Sequence, residues 1–193
     1  MPVGVLALQG AFVEHERALR RCGADTRQIR KAEELAGIRA LVIPGGESTT
    51  MGRLLADFGL TAALIRAIAG GLPVLGTCAG LILLAREIRG SDQLRLGFLD
   101  VAVQRNGYGR QVDSFEADLD IPALGPPPFR AVFIRAPRIV EVGPEVEVLA
   151  AYDGQPVLVR QGRVWGCAFH PELTTDLRLH RYFLDLVAGT PAV

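Results

Sequence analysis

The chain has no excess of charge of either sign: 21 Lys and Arg balance 21 Asp and Glu over 193 residues. It also lacks a basic run, so nothing favours a nucleic-acid backbone or an anionic membrane surface as a partner. Cysteine is scarce. Cys22, Cys78 and Cys167 have no paired spacing, which argues against a disulfide framework and suits a reducing, cytoplasmic setting. No stretch reaches the ~18 apolar residues that a membrane-spanning helix needs. The apolar opening, Met1 to Leu8, has no basic leading segment and runs into a polar turn, so a strand is expected there and not a signal peptide. Internal repeats, linkers and low-complexity segments are missing. With 49 % hydrophobic and 22 % charged residues, the expectation is one globular domain over residues 1–193.

What is present reads first as alternating strands and helices. Val3 to Leu8 is a continuous apolar run, as in a strand buried on both faces. Gln9-Gly10 turns the chain, and Phe12, Ala18, Leu19 and Cys22 recur at roughly helical spacing before Gly23. Thr26–Ile29 and Ala40–Ile43 are the next strands, joined by a polar connection with room for a short helix. Helices are expected at Met51–Phe58, capped by Ser48 or Thr49, and at Thr61–Ala69. Gly71 to Leu84 then reads as strand, tight turn and helix. This order implies a mostly parallel sheet with helices on both faces. Beyond Arg89, strand patterns fall at 96–103, 114–119, 129–134, 146–152, 156–160 and 163–169. Asp153-Gly154 makes a strong hairpin turn, and a last helix is expected over 176–188.

The tight turn carries the chemistry. Gly76-Thr77-Cys78-Ala79-Gly80 fits a glycine-x-nucleophile-x-glycine elbow, in which glycines on both sides permit a sharp turn and a close strand–helix approach. A thiol placed ahead of a helix N-terminus is favoured as thiolate. A buried structural cysteine fits this stretch as well. His170-Pro171-Glu172 is the second site: proline holds the preceding residue extended, and residues two apart then face one way. A thiol nucleophile needs a base, and the base an orienting partner; Cys78, His170 and Glu172 supply those types. An ordinary edge histidine is the competing interpretation. His15 and His180 fall in charged helical surroundings and are placed on the surface. A metal site on Cys167 and His170 would need a bend, because strand residues three apart face opposite sides. The loop Pro44-Gly45-Gly46-Glu47-Ser48-Thr49-Thr50 is either an ordinary glycine-rich turn or an oxyanion element, with an amide of Gly45 or Gly46 joining that of Ala79. It is no phosphate loop, since no Gly-Lys-Ser/Thr follows.

Taken together, Gly-Thr-Cys78-Ala-Gly-Leu-Ile-Leu-Leu and His170-Pro-Glu172 resemble the triad-type glutamine amidotransferases. Within them, five further segments resemble the glutaminase subunits of pyridoxal 5′-phosphate synthases. They are Ala7-Leu-Gln-Gly-Ala11, Pro44-Gly-Gly-Glu-Ser-Thr49, Gln104-Arg-Asn-Gly-Tyr-Gly-Arg-Gln111, Phe133-Ile-Arg-Ala-Pro137 and Phe169-His-Pro-Glu-Leu173. Gly107 stands where alanine is expected and Thr175 where an acidic residue is expected; neither is a triad position.

The resemblance implies a flavodoxin-like, three-layer α/β sandwich with a central, mostly parallel mixed sheet. It makes Cys78 the nucleophile, His170 the general base and acid, and Glu172 its orienting partner. It seats L-glutamine over Gly46, Glu47 and Ser48, with Arg105, Ile134 and Arg135 around it; on their own, the two arginines read as solvated charges. It implies hydrolysis of glutamine to glutamate and ammonia, and a (β/α)8-barrel synthase subunit that receives the ammonia and activates the glutaminase. Gln9, in the turn after the first strand, is the candidate for relaying that contact. Pyridoxal 5′-phosphate is then a product of the complex, and neither cofactor nor metal is expected on this chain. The alternatives are a glutaminase serving another synthase, such as that of histidine synthesis, and a PfpI-like peptidase or stress protein.

Overall fold

The computed structural model describes residues 1–108 and 113–189. The chain opens with β1 (Pro2–Leu6), α1 (Phe12–Arg21) and β2 (Asp25–Ile29). A single 3-10 turn, Ala32–Leu35, leads to β3 (Ala40–Ile43). Then come α2 (Ser48–Asp57), α3 (Leu60–Ala69), β4 (Val74–Thr77) and α4 (Ala79–Leu84). The second half is mostly strands: β5 (Ala85–Ile88), β6 (Leu99–Gln104), β7 (Ser114–Leu119), β8 (Phe129–Ile134), β9 (Arg138–Val142), β10 (Glu147–Tyr152), β11 (Gln155–Gln161) and β12 (Val164–Cys167). Helix α5 (Arg178–Ala188) closes it.

The main sheet has seven strands in the order β10-β11-β12-β4-β3-β1-β2. The pairs among β12, β4, β3, β1 and β2 are all parallel, and β10-β11-β12 is an antiparallel meander. The mixed, mostly parallel sheet is therefore as expected. Strands β3 and β4 are buried at every residue, as continuous apolar runs in the middle of a covered sheet should be. The chain runs from β1 outward to β2, then returns to β3 on the other side of β1 and continues to β4. Right-handed crossovers in opposite directions put α1 on one face and α2 with α3 on the other. The carboxyl ends of β1 and β3, where this reversal occurs, form the crevice in which open α/β sheets hold ligands.

Two small sheets flank the large one: β5-β6-β9, and the antiparallel pair β7-β8. Strands β5 and β9 are not among the expected strands: the Leu81–Leu84 run before β5 reads as helix continuing, and β9, although it carries Ile139, Val140 and Val142, follows directly on Arg135-Ala136-Pro137, which reads as a strand end. The cap of α2 also departs from expectation. Glu47, not Ser48 or Thr49, is the capping residue, and its carboxylate accepts the N–H groups of Thr49 and Thr50. Aspartate-glycine does make the expected hairpin: Tyr152 pairs with Gln155 across Asp153 and Gly154, both at positive φ.

Candidate active site

Cys78 sits immediately after β4 and before α4, at φ 49° and ψ −101°. That is left-handed backbone, rare for a residue with a side chain and concentrated at functional turns. Sterics explain the flanking glycines. A Cβ at Gly76 would lie 2.5 Å from Leu84 Cδ1 and 2.6 Å from the Gly80 carbonyl carbon, and one at Gly80 would lie 2.1 Å from the Ile43 oxygen. The Cys78 N–H donates to the Cys167 carbonyl at 2.7 Å, which ties the turn to the neighbouring strand β12. The other thiols are less suited to attack: burial pushes both Cys22 and Cys167 above the ordinary cysteine range.

His170 follows β12, and its N–H donates to the Val132 carbonyl at 2.8 Å. The segment is not extended as expected: Pro171 opens one 3-10 turn, Pro171–Leu173, and this turn, not strand alternation, brings Glu172 back beneath the ring. His170 Nδ1 lies 2.7 Å from Glu172 Oε1, so Nδ1–H donates to the carboxylate and Nε2 is left for Cys78. Burial works against charge on His170, but its hydrogen bonds with Cys78 and Glu172 outweigh that and raise its pKa to about 10. The charged form of the ring is therefore favoured beside the thiol. Burial likewise opposes charge on Glu172. The fields of His15 and His170, with the His170 hydrogen bond, prevail and lower its pKa below the usual carboxylate value.

A cavity of about 210 Å³ opens beside this pair. Gly46, Glu47, Ser48, Arg105, Ile134 and Arg135 all line it, together with Cys78 and His170. The two arginines differ. Arg105 is held in place, donating to Thr49 Oγ1 at 3.0 Å, Gln93 Oε1 at 2.9 Å and Glu47 Oε1 at 3.3 Å. Arg135 is exposed, takes left-handed backbone at φ 42°, and has no carboxylate partner among the described residues.

The glycine loop after β3 packs directly on the pair. A Cβ at Gly45 would fall 2.4 Å from His170 Cε1 and 3.3 Å from Cys78 Cβ. From the other side, the Ala11 N–H donates to the Gly45 carbonyl at 3.0 Å, and Gln9 Oε1 accepts the Glu47 N–H at 2.8 Å. Gln9 thus holds the backbone of the loop next to Gly46. Ala79 is the first residue of α4, adjoining Cys78. Gly107, at its unexpected position, meets Arg138: a Cβ there would lie 2.2 Å from Arg138 Cβ and 2.9 Å from its nitrogen. The remainder of that motif, Gly109 to Gln111, lies outside the described residues.

The surface placement of His15 and His180 is wrong. Both are fully buried, His15 on the inner face of α1 with Ala18 and Leu19, His180 on that of α5 with Phe183 and Val187. Helical spacing carries this signal, since His180, Phe183, Leu184 and Val187 form one stripe. The neighbouring charges mask it. Gln93 is a further site residue that the sequence does not reveal. Its Oε1 accepts from Ser48, Thr49 and Arg105 and so joins the α2 N-terminus to the arginine. No local pattern marks a glutamine in a polar loop for that role. Among the described residues no group of three or more His, Cys, Asp or Glu is arranged to hold a metal ion. No helix among them is long and apolar enough to cross a membrane.

A cysteine elbow at a parallel-strand end, backed by a histidine–carboxylate pair, is the arrangement of an α/β enzyme that transfers acyl groups through a thiol. The comparisons with known proteins make the class specific. Residues 5–188 match the model of the SNO glutamine amidotransferase family, and the chain belongs to that family. It is 65 % identical over 185 residues to the pyridoxal 5′-phosphate synthase subunit PdxT of Pelotomaculum thermopropionicum, covering 96 % of this chain and 94 % of that protein. It is 54 % identical to the PdxT subunit of Thermotoga maritima, covering 97 % and 100 %. A crystal structure described as a glutamine amidotransferase superposes with a TM-score of 0.92 at 53 % identity, over 96 % of this chain and 98 % of that one. A putative GMP synthase component from Thermoplasma acidophilum shares the fold, with a TM-score of 0.72 at 19 % identity over 98 % and 94 %.

Proposed function

We propose that this chain is the glutaminase subunit of a pyridoxal 5′-phosphate synthase, with residues 1–193 acting as one domain in the cytoplasm. One observation carries the reading: Cys78, the His170–Glu172 pair and the Arg135-rimmed cavity converge in a chain whose PdxT relatives are 54–65 % identical over nearly their whole length. L-Glutamine enters with its α-carboxylate toward Arg135 and its side-chain amide toward Cys78. Arg105 contributes by holding Glu47 at the rim. The thiol passes its proton to His170 and the sulfur attacks the amide carbon. The oxyanion is taken by amides of Ala79 and of the Gly45–Gly46 loop. His170 then protonates the leaving nitrogen, ammonia departs, and water attacking the thioester releases glutamate.

The ammonia passes to a partner synthase subunit with a (β/α)8-barrel fold, which incorporates it into pyridoxal 5′-phosphate. Gln9 provides the physical link. Its side chain holds the Glu47 N–H, so a partner that moves the turn after β1 also moves the oxyanion loop.

The experiment measures ammonia release from glutamine by this chain with and without its cognate synthase subunit, and follows amide-¹⁵N into pyridoxal 5′-phosphate. The expected result is slow hydrolysis alone, faster hydrolysis in the complex, and labelled product. Ammonia release unaffected by that subunit, with no label in the product, would favour service to another synthase. No hydrolysis under either condition would favour a PfpI-like peptidase or stress protein.

A further inference from the structure

Glu172 has a second carboxylate oxygen that the triad does not use. Oε2 is buried and has no hydrogen-bond partner among the described residues; the side chain facing it is His15, whose Nε2 lies 3.3 Å away, within ion-pair distance. His15 Nε2 is also 3.0 Å from Thr77 Oγ1, and His15 Nδ1 is 3.0 Å from His180 Nε2. His180 Nδ1 has no hydrogen-bond partner among the described residues. All three histidines of the chain therefore lie on one buried line running back from Cys78: His170, Glu172, His15, His180.

Burial disfavours the charged form of both outer rings and lowers the pKa of each, that of His180 to about 3. Two neutral tautomer patterns then compete. In the first, His180 Nε2–H donates to His15 Nδ1, and His15 Nε2–H donates to Thr77 Oγ1 while presenting its positive edge to Glu172 Oε2, 3.3 Å from the nitrogen. One bare acceptor, His180 Nδ1, is left over. In the second, His15 Nδ1–H donates to His180 Nε2 and Thr77 donates to His15 Nε2. A lone pair then faces the ionised carboxylate, Oε2 has no side-chain donor, and His180 Nδ1–H becomes a buried donor with no acceptor. Leaving a charged acceptor and a buried donor unmet is the more costly arrangement.

We propose that His15 is a positioning residue for the Cys78–His170–Glu172 triad: its Nε2–H fixes the second oxygen of Glu172, and His180 behind it selects the tautomer that makes this possible. The inference rests on the triad reading above. Its consequence is mechanical. A carboxylate held at both oxygens cannot rotate about its Cγ–Cδ bond, and His170, bonded to the other oxygen, keeps its ring aimed at Cys78.

Long-range ¹H–¹⁵N correlation spectra of the full chain at neutral pH test this directly, since only three imidazoles contribute. The expected result is His15 and His180 both as neutral Nε2–H tautomers; His15 found as Nδ1–H overturns the proposal whatever the variants do. In the complex with the synthase subunit, His15→Leu should lower kcat by ~10–100-fold, as loss of an outer partner does elsewhere. KM should stay nearly constant, because the glutamine cavity is untouched. His15→Gln, which places an amide N–H where Nε2–H was, should recover most of the rate. Equal losses in the Leu and Gln variants, or no loss in His15→Leu, would overturn it. His170→Asn, measured alongside, separates the two readings. If it stays active, the triad reading fails and this inference with it; if it is inactive while His15→Leu is not, only this inference fails.

Discussion

Replacing Gly45 with alanine adds one methyl group at the most crowded point of the site. The new Cβ would stand 2.4 Å from His170 Cε1 and 3.0 Å from His170 Nδ1. Relaxed carbon–carbon contact needs about 3.5 Å, so roughly 1 Å of relative movement must be found. The ring resists, because it is buried and tied to Glu172 through Nδ1, on a residue whose backbone N–H is anchored to the Val132 carbonyl. The loop resists too: the Gly45 carbonyl accepts from Ala11, and Gly10 lies so close that a Cβ there would sit 1.9 Å from that oxygen. Overpacking of this kind costs about 1–3 kcal/mol of stability. The larger effect falls on the chemistry, where a 1 Å misplacement costs ~10²-fold in rate, or about 2.7 kcal/mol of barrier. Gly45→Ala should therefore fold, melt slightly lower and lose ~10²-fold in kcat for glutamine hydrolysis in the complex. A well-folded variant with near-normal kcat would refute the claim that the loop is packed on a working His170.

Three further outcomes are expected. His170→Asn should cost about 10²–10⁴-fold in kcat, and Glu172→Gln less, because an amide can still hold the ring; the reverse order in steady-state kinetics would contradict the roles assigned. Arg135→Ala should raise the KM for glutamine roughly tenfold or more while leaving kcat nearly unchanged, since a charge-assisted contact is lost from binding and not from the reacting atoms. An unchanged KM would remove Arg135 from the substrate site. Glu47 has its pKa lowered from 4.5 to about 2, chiefly by the Thr50 hydroxyl and then by the N–H groups of Thr50 and Thr49. A depressed carboxylate contributes stability above the unfolded pKa and loses it as pH falls from 4.5 through about 2. The cap is worth about 1 kcal/mol, so melting of Glu47→Ala should lie below the parent near neutral pH and converge on it toward pH 2. A gap that persists in acid would mean the cap is not electrostatic.

The parts of the site that the sequence announced are those built by local backbone rules. Gly76 and Gly80 bracket Cys78 because strand and helix nearly touch there, and that need is written in five consecutive residues. His170 and Glu172 are joined by one proline and a two-residue spacing. Arg105 and Arg135 came from resemblance alone, since nothing local separates a substrate cation from a solvated one. What stayed hidden depends on long-range packing. His15 and His180 stand 165 positions apart and meet only because α1 and α5 pack together. Gln93 becomes a hub only once α2 and the loop after β6 approach it. Strands β5 and β9 are legible only through β6, the strand they both pair with.

The central claim is that Cys78 forms a thioester with the γ-acyl group of glutamine. The most direct measurement is rapid acid quench of the complex turning over radiolabelled glutamine, followed by digestion and identification of the labelled peptide. The label should sit on the peptide carrying Cys78, be released by hydroxylamine as a thioester is, and be missing from Cys78→Ser digests. Label on Cys22 or Cys167, or rapid turnover in Cys78→Ala, would contradict the account.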